Sequence, residues 1–192
     1  MERKLNKNAL RSRALIRDAF YSLIKQKPYQ ALTVTDIVKE ADINRATFYA
    51  HYSCIADLLE EIYSEIIEKL KEILSKFSLS SFCNNPTSLL IEVSKFIDDN
   101  IENFKILLKH TTNSEFMNHL THIFVEYLEN DESIPAEWKK KKEFPLRVYY
   151  TAGGISTLYL NWIAGNLNCS VYDVAIEIAN IIMSNSVMPT TN

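Results

Sequence analysis

The chain has 192 residues, 47% hydrophobic and 23% charged, with three glycines and five prolines. That composition excludes a disordered or collagen-like chain, and so few helix breakers favour long helices in one domain or two small ones. The formal charge of −3 hides an asymmetry: residues 1–52 hold ten Lys/Arg against five Asp/Glu, whereas the remainder holds eleven against nineteen. A basic first quarter on an acidic body points to a polyanionic partner for the N-terminal part alone.

The opening segment, MERKLNKNALRSRAL, is charged from its second residue and has no apolar core, so it does not read as a secretion signal. Cys54, Cys83 and Cys169 are odd in number and far apart, as expected of reduced thiols in the cytoplasm. From Asn8 to Lys25, Ile16, Ala19, Phe20, Leu23 and Ile24 share one helical face, with Arg11, Arg13 and Arg17 around the other. Ahead of them a basic arm carries Arg3, Lys4 and Lys7. Pro28 breaks the pattern, and Thr33 with Asp36 predicts a capping box for a second helix burying Val34, Ile37, Val38 and Ala41.

A turn at Asp42 leads to a short helix over Asn44 to His51. Phe48 and Tyr52, four apart, bury with Ile43 and leave Asn44, Arg45, Thr47, Tyr49 and His51 outward. Two short helices joined by a tight turn, the second exposing donors, make a helix-turn-helix. Arg45 can fork onto the N7 and O6 of guanine, and Thr47 can touch a base edge or a thymine methyl. Tyr49 and His51 can donate to phosphates, while Ala46 and Ala50 let the helix sit deep. Ser53 then caps a long fourth helix whose stripe runs Leu58, Leu59, Ile62, Ile66, Leu70, Ile73 and Leu74.

The ordered combination of ALIRDAFYSLI, LTVTDIVKEADI, ATFYAHY and DLL over residues 10–65 resembles the TetR-type transcriptional regulators. The resemblance implies an all-α fold. An N-terminal three-helix helix-turn-helix domain, 1–54 with its arm, joins by a long helix to a C-terminal helical bundle, 55–192, that dimerises and binds an effector. It also implies that Thr35, Asn44, Arg45, Ala46 and Thr47 lie near bases or adjacent phosphates, and Tyr49 and His51 on phosphates. Two positions depart from the family pattern: Asp42 stands where glycine is usual in the turn, and Ile55 where a lysine usually begins the fourth helix.

SKFSLSSFCNNP reads as a polar connector, after which 87–99, 102–109, 114–129, 145–164 and 170–185 read as helices, the last opened by Ser170 and Asp173. Residues 148–172 carry no charge and could span a bilayer by length, but Thr151, Ser156, Thr157, Asn161 and Asn166 interrupt them, which favours burial in a bundle or a subunit interface. FPLRVYYTAGGISTLYLNWIAGN is similar to a C-terminal type found in activators of dihydroxyacetone kinase operons. There Gly153 and Ser156 permit close approach, and with Tyr159, Trp162 and, from the final helix, Ile178 they are expected to form a two-fold four-helix dimer interface.

His119 and His122 lack a ligand cluster at matching spacing, so no metal or cofactor is expected. No catalytic constellation accompanies them, so no enzyme is expected either. The lining of an effector pocket is not legible, although Tyr63, Phe77, Phe82, Phe96, Phe104, Phe116, Phe124 and Tyr127 supply the aromatics. The partners expected are an operator in double-stranded DNA, a second copy of the chain and a small-molecule effector that releases a repressor, with no membrane. The alternative is a DNA-binding regulator or adaptor whose C-terminal domain is controlled by a partner protein, with activation of transcription as well as repression open to it.

Overall fold

A computed structural model describes the backbone of residues 2–110 and 113–184, and the side chains of 8–109 and 118–184. The side chains of the basic arm, of His110 and of Phe116, and the tail 185–192 lie outside the described residues. Among the described residues there is no strand. The helices are α1 (Glu2–Ile24), α2 (Val34–Glu40), α3 (Arg45–Tyr49), α4 (Ile55–Leu74), α5 (Leu79–Asn84), α6 (Pro86–Asp99), α7 (Ile101–His110), α8 (Asn113–Asn130), α9 (Ala136–Lys139), α10 (Glu143–Ile163) and α11 (Val171–Ser184).

Two compact units divide the chain, Met1–Ser64 and Glu65–Asn192. The division falls inside α4, ten residues beyond the junction expected at 54/55. Glu61 shows why the first turns of α4 belong with the N-terminal unit. Its carboxylate accepts from the Tyr52 hydroxyl at 3.0 Å and pairs with Arg13 and Arg17 of α1.

Local chemistry sets the helix starts. The Thr33–Asp36 box at α2 forms as expected, and the Ser170–Asp173 pair closes the same way at α11, with Ser170 N–H donating to the carboxylate at 2.8 Å and Asp173 N–H returning to Ser170 Oγ at 3.1 Å. Ser53 takes a different part from the one expected. Asp57 reaches back to accept the Ser53 N–H at 2.7 Å, so a carboxylate within α4 closes its own first turn.

Three short elements fall where loops were expected. A 3-10 turn covers Tyr29–Ala31, α9 covers four residues, and α5 occupies the supposed polar connector. Ser78 caps α5 by accepting the Ser81 N–H at 3.1 Å, and Leu79 and Phe82 are buried one turn apart.

In the C-terminal unit, α6 packs on α11 and α8 on α10. The junction of α6, α10 and α11 is pinned by buried polar groups. Tyr159 Oη lies 2.9 Å from Ser94 Oγ and 3.1 Å from Leu90 O, and Ser94 Oγ lies 3.2 Å from Val171 O, so the two hydroxyl hydrogens are shared among three buried contacts. Each polar atom buried there has a partner, as such atoms require. Just past the end of α10, Gly165 with a φ of +80° lets Asn166 N–H fold back onto Asn161 O at 2.9 Å. Among the described residues no helix is long and apolar enough to cross a membrane.

Candidate nucleic-acid interface

The sequence around α2 and α3 fixes a rigid corner. Thr33 Oγ1 accepts the Asp36 N–H at 3.2 Å, and Asp36 accepts the Thr33 N–H at 2.9 Å. Lys27 Nζ lies 2.6 Å from the same carboxylate, whose pKa falls to about 2 because Lys27 and then Thr33 donate to it. The chain leaves α2 at Asp42 in the left-handed region, φ +50°, and Ile43 N–H returns to Val38 O at 3.0 Å. Aspartate is among the few residues besides glycine that visit this region, so the turn forms without the usual glycine.

Asn44 then caps α3. Its Oδ1 accepts the Thr47 N–H at 2.8 Å and the Thr47 hydroxyl at 3.0 Å, which commits that oxygen to the helix start. Phe48 and Tyr52 are buried, their ring centroids 5.8 Å apart, and they turn the opposite edge of the helix outward. On that edge Asn44, Arg45, Ala46 and Tyr49 are exposed, while Thr47 is half-buried. Tyr49 is 55% exposed although aromatic, held edge-on against Phe48 at 5.6 Å with its ring in solvent.

Three expected contact residues, Thr35, Arg45 and His51, bond to other elements of the unit. The Arg45 guanidinium donates from Nη2 to Thr35 Oγ1 at 2.6 Å, so these residues, ten apart in sequence, meet at one point of the surface. His51 is half-buried, and its Nε2 lies 2.7 Å from Ser12 Oγ on α1. Because Ser12 Oγ also lies 3.0 Å from the Asn8 and Ala9 carbonyls, its single hydrogen has acceptors of its own. The ring nitrogen facing it is thereby occupied, and Nδ1 is the atom left for an outside partner.

Sequence reasoning misses the group beneath α3. Helical spacing alone puts Arg13 and Arg17 on an outward face of α1. Instead Arg13 Nε donates to Tyr52 Oη at 3.4 Å, the guanidinium lies 5.9 Å from the Tyr52 ring centroid, and both arginines pair with Glu61. The hydrogen bond to Tyr52 leads the causes that raise the Arg13 pKa, and burial pushes the Tyr52 phenol up. No local signal announces contacts spanning 39 and 48 residues. At the start of α4, Ile55 is half-exposed, and Asp57 lies in the first turn with its pKa lowered, chiefly by the Ser53 N–H.

The expected dimer residues differ in their exposure within the single chain. Ser156, Tyr159 and Ile178 are buried within their own unit, Tyr159 through the hydrogen bonds described above, with burial pushing its phenol up to about 12. Trp162 is half-buried and donates from Nε1 to Cys169 O at 2.8 Å. Gly153 alone of the five leaves room beside it, since a Cβ there, as at Gly154, would meet nothing of this chain within 4 Å. The exposed apolar face lies elsewhere on the same two helices, at Leu146, Tyr149 and Tyr150 of α10 and Ile176, Ile181 and Met183 of α11. Between the helices runs a groove of about 600 Å³ lined by Arg147, Tyr150, Gly154, Leu158 and Ile181. The core of the unit holds a cavity of about 50 Å³ among Leu74, Leu90, Phe104, Phe124, Ser156 and Tyr159.

Residues 16–62 match the family model described as "Bacterial regulatory proteins, tetR family". Over 84 residues the chain is 30% identical to the uncharacterised HTH-type transcriptional regulator YxbF of Bacillus subtilis (strain 168), an alignment covering 43% of this chain and 21% of that protein. The chain thus spans about a fifth of that relative's length. Among solved structures it is similar to the dihydroxyacetone kinase operon activator DhaS, with a TM-score of 0.61 and 18% identity over 91% of this chain and 95% of that one, a likeness of fold. The capped α2–α3 corner and the outward edge of α3 both lie within residues 16–62, the stretch that matches the tetR-family model.

Proposed function

We propose that this chain is a sequence-specific DNA-binding transcriptional regulator of the cytoplasm, acting as a homodimer on a two-fold operator. The observation that carries the reading is the division of α3 into a buried edge, Phe48 with Tyr52 behind it, and an exposed polar edge centred on Arg45 and Tyr49. The first fixes the helix; the second is free to enter a major groove. Thr35, Asn44, Arg45, Ala46 and Thr47 are the residues proposed to lie near bases or adjacent phosphates, and Tyr49 and His51 on phosphates. His51 would turn Nδ1 to the phosphate, because Nε2 faces Ser12, and can donate from it only in the doubly protonated form. The second copy would seat on the exposed apolar face of α10 and α11, which sets the spacing of the two reading heads.

Selection of genomic fragments by the purified protein tests this directly. It should return an inverted repeat with half-sites about one helical turn apart, roughly 34–36 Å. On that sequence Arg45→Ala should cost about 1–3 kcal/mol and relax the preference at one position per half-site. A protein that recovers no sequence at low ionic strength would end the reading.

For control of binding, release of a repressor by a small apolar or amphipathic effector remains the family-based proposal, with α4 as the lever because it runs unbroken across the boundary of the two units. The 50 Å³ cavity favours the second reading, a partner protein that docks on the C-terminal unit. Drug-sized ligands occupy roughly 300–1,000 Å³, so an internal effector would have to open the core first. Calorimetric titration with candidate metabolites, set against co-purification of a stoichiometric protein, separates the two.

A further inference from the structure

We propose that Thr35 of α2 is a positioning residue for Arg45 of α3, and that the pair reads one guanine in each operator half-site as a unit. The proposal rests on the DNA-binding reading above and adds the base and the support of the side chain that reads it. Its ground is the 2.6 Å hydrogen bond from Arg45 Nη2 to Thr35 Oγ1, at the short end for a charged donor.

Both ends of that bond stand on fixed backbone. Thr35 is the second residue of α2, inside the turn closed by the Thr33–Asp36 box and by the Lys27–Asp36 pair at 2.6 Å. Arg45 is the first residue of α3, directly after the Asn44 cap. An arginine free in solvent gives up most of its rotamer freedom when it docks; one already tied through an amino group gives up less, and that difference appears as affinity for the correct base.

The geometry also selects the base. With one Nη2 hydrogen directed to Thr35, the second Nη2 hydrogen and those of Nη1 remain as a two-point donor edge. In the major groove guanine alone presents two neighbouring acceptors, N7 and O6; adenine pairs its N7 with a donor, and thymine offers a single acceptor. A lysine at position 45 has neither the planar fork nor a second amino group to leave on Thr35.

Two rival roles make different predictions. Thr35 could itself hold a phosphate, or its bond to Arg45 could be a resting contact that DNA must break. The full chain and its Thr35→Val, Thr35→Ala, Thr35→Ser and Arg45→Ala variants are measured at several salt concentrations. The targets are the selected duplex and three duplexes altered at the guanine. Valine keeps the shape of threonine and removes the acceptor; alanine provides a second deletion should valine disturb α2; serine restores the hydroxyl.

Expected is a loss of guanine preference of roughly tenfold in Thr35→Val and Thr35→Ala, retention in Thr35→Ser, and no change in salt slope. Equal weakening on all four duplexes, at an unchanged salt slope because a hydroxyl neutralises no charge, would make Thr35 a phosphate contact and overturn the proposal. Unchanged or tighter binding by Thr35→Val, with Arg45→Ala still defective, would overturn it in favour of the resting contact. Should the unaltered chain select no sequence, the DNA-binding reading fails, an outcome distinct from failure of the pair.

Discussion

Asp42 holds the turn between α2 and α3 at φ +50°, where glycine would sit without strain. A side chain in this conformation costs about 1–2 kcal/mol, less for aspartate, and glycine recovers part of that while adding freedom to the unfolded chain. Asp42→Gly should therefore change stability by no more than about 1 kcal/mol and leave DNA affinity intact, whereas Asp42→Val should destabilise by more than that. Urea unfolding followed by far-UV circular dichroism checks the order, and a variant with glycine that is the less stable of the two would show that the carboxylate holds the turn by a contact of its own. At this scale the sequence discloses what is local. The pairs Thr33–Asp36 and Ser170–Asp173 lie three residues apart and follow from helix geometry alone. Ser12 with His51 and Arg13 with Glu61 lie 39 and 48 residues apart, and a helical wheel of α1 assigns those partners to solvent.

Among the elements, the long amphipathic helices are legible because one apolar stripe persists over several turns, as from Leu58 to Leu74 in α4. The α5 segment escapes because a helix of six residues offers only Leu79 and Phe82 as its stripe, set among serines that read equally well as loop. The start of α4 carries a functional consequence. A phosphate docked there would meet Ile55, which brings no charge, and the Asp57 carboxylate, which is negative and already accepts the first-turn donor from Ser53. The family-type contact is thus weakened twice, once by a missing cation and once by a resident anion. Ile55→Lys should tighten operator binding and steepen the dependence of log K on log salt by about 0.9 for each phosphate that the new ammonium neutralises. Filter binding between low and moderate salt measures that slope, and a variant with the parental slope would place the start of α4 away from the DNA backbone.

For the whole molecule, residues 148–172 show where reading from sequence stops. An uncharged helix has no polar face to mark its outside, so the pattern says that α10 is buried without saying which side meets its own unit and which a second copy. The buried hydrogen bonds of Tyr159 to Ser94 and Leu90 settle its side as inward, and the exposure of Tyr150, 74%, and Leu146, 71%, marks the other side as the one left to be covered. Isolated apolar residues at a surface are ordinary, but aromatic and aliphatic side chains from two adjacent helices, beside a groove that Gly154 leaves open to approach, form the kind of patch that subunits bury. The two tyrosines should therefore separate assembly from folding. Tyr150→Glu places a charge in the proposed interface at no cost to the unit itself. It should sediment as a folded monomer and bind the two-fold operator at least about tenfold more weakly, because each reading head then docks alone. Tyr159→Phe leaves Ser94 and the Leu90 carbonyl short of a buried partner and should destabilise the C-terminal unit by about 1–3 kcal/mol while remaining dimeric. A Tyr150→Glu protein that stays dimeric would move the subunit contact off this face.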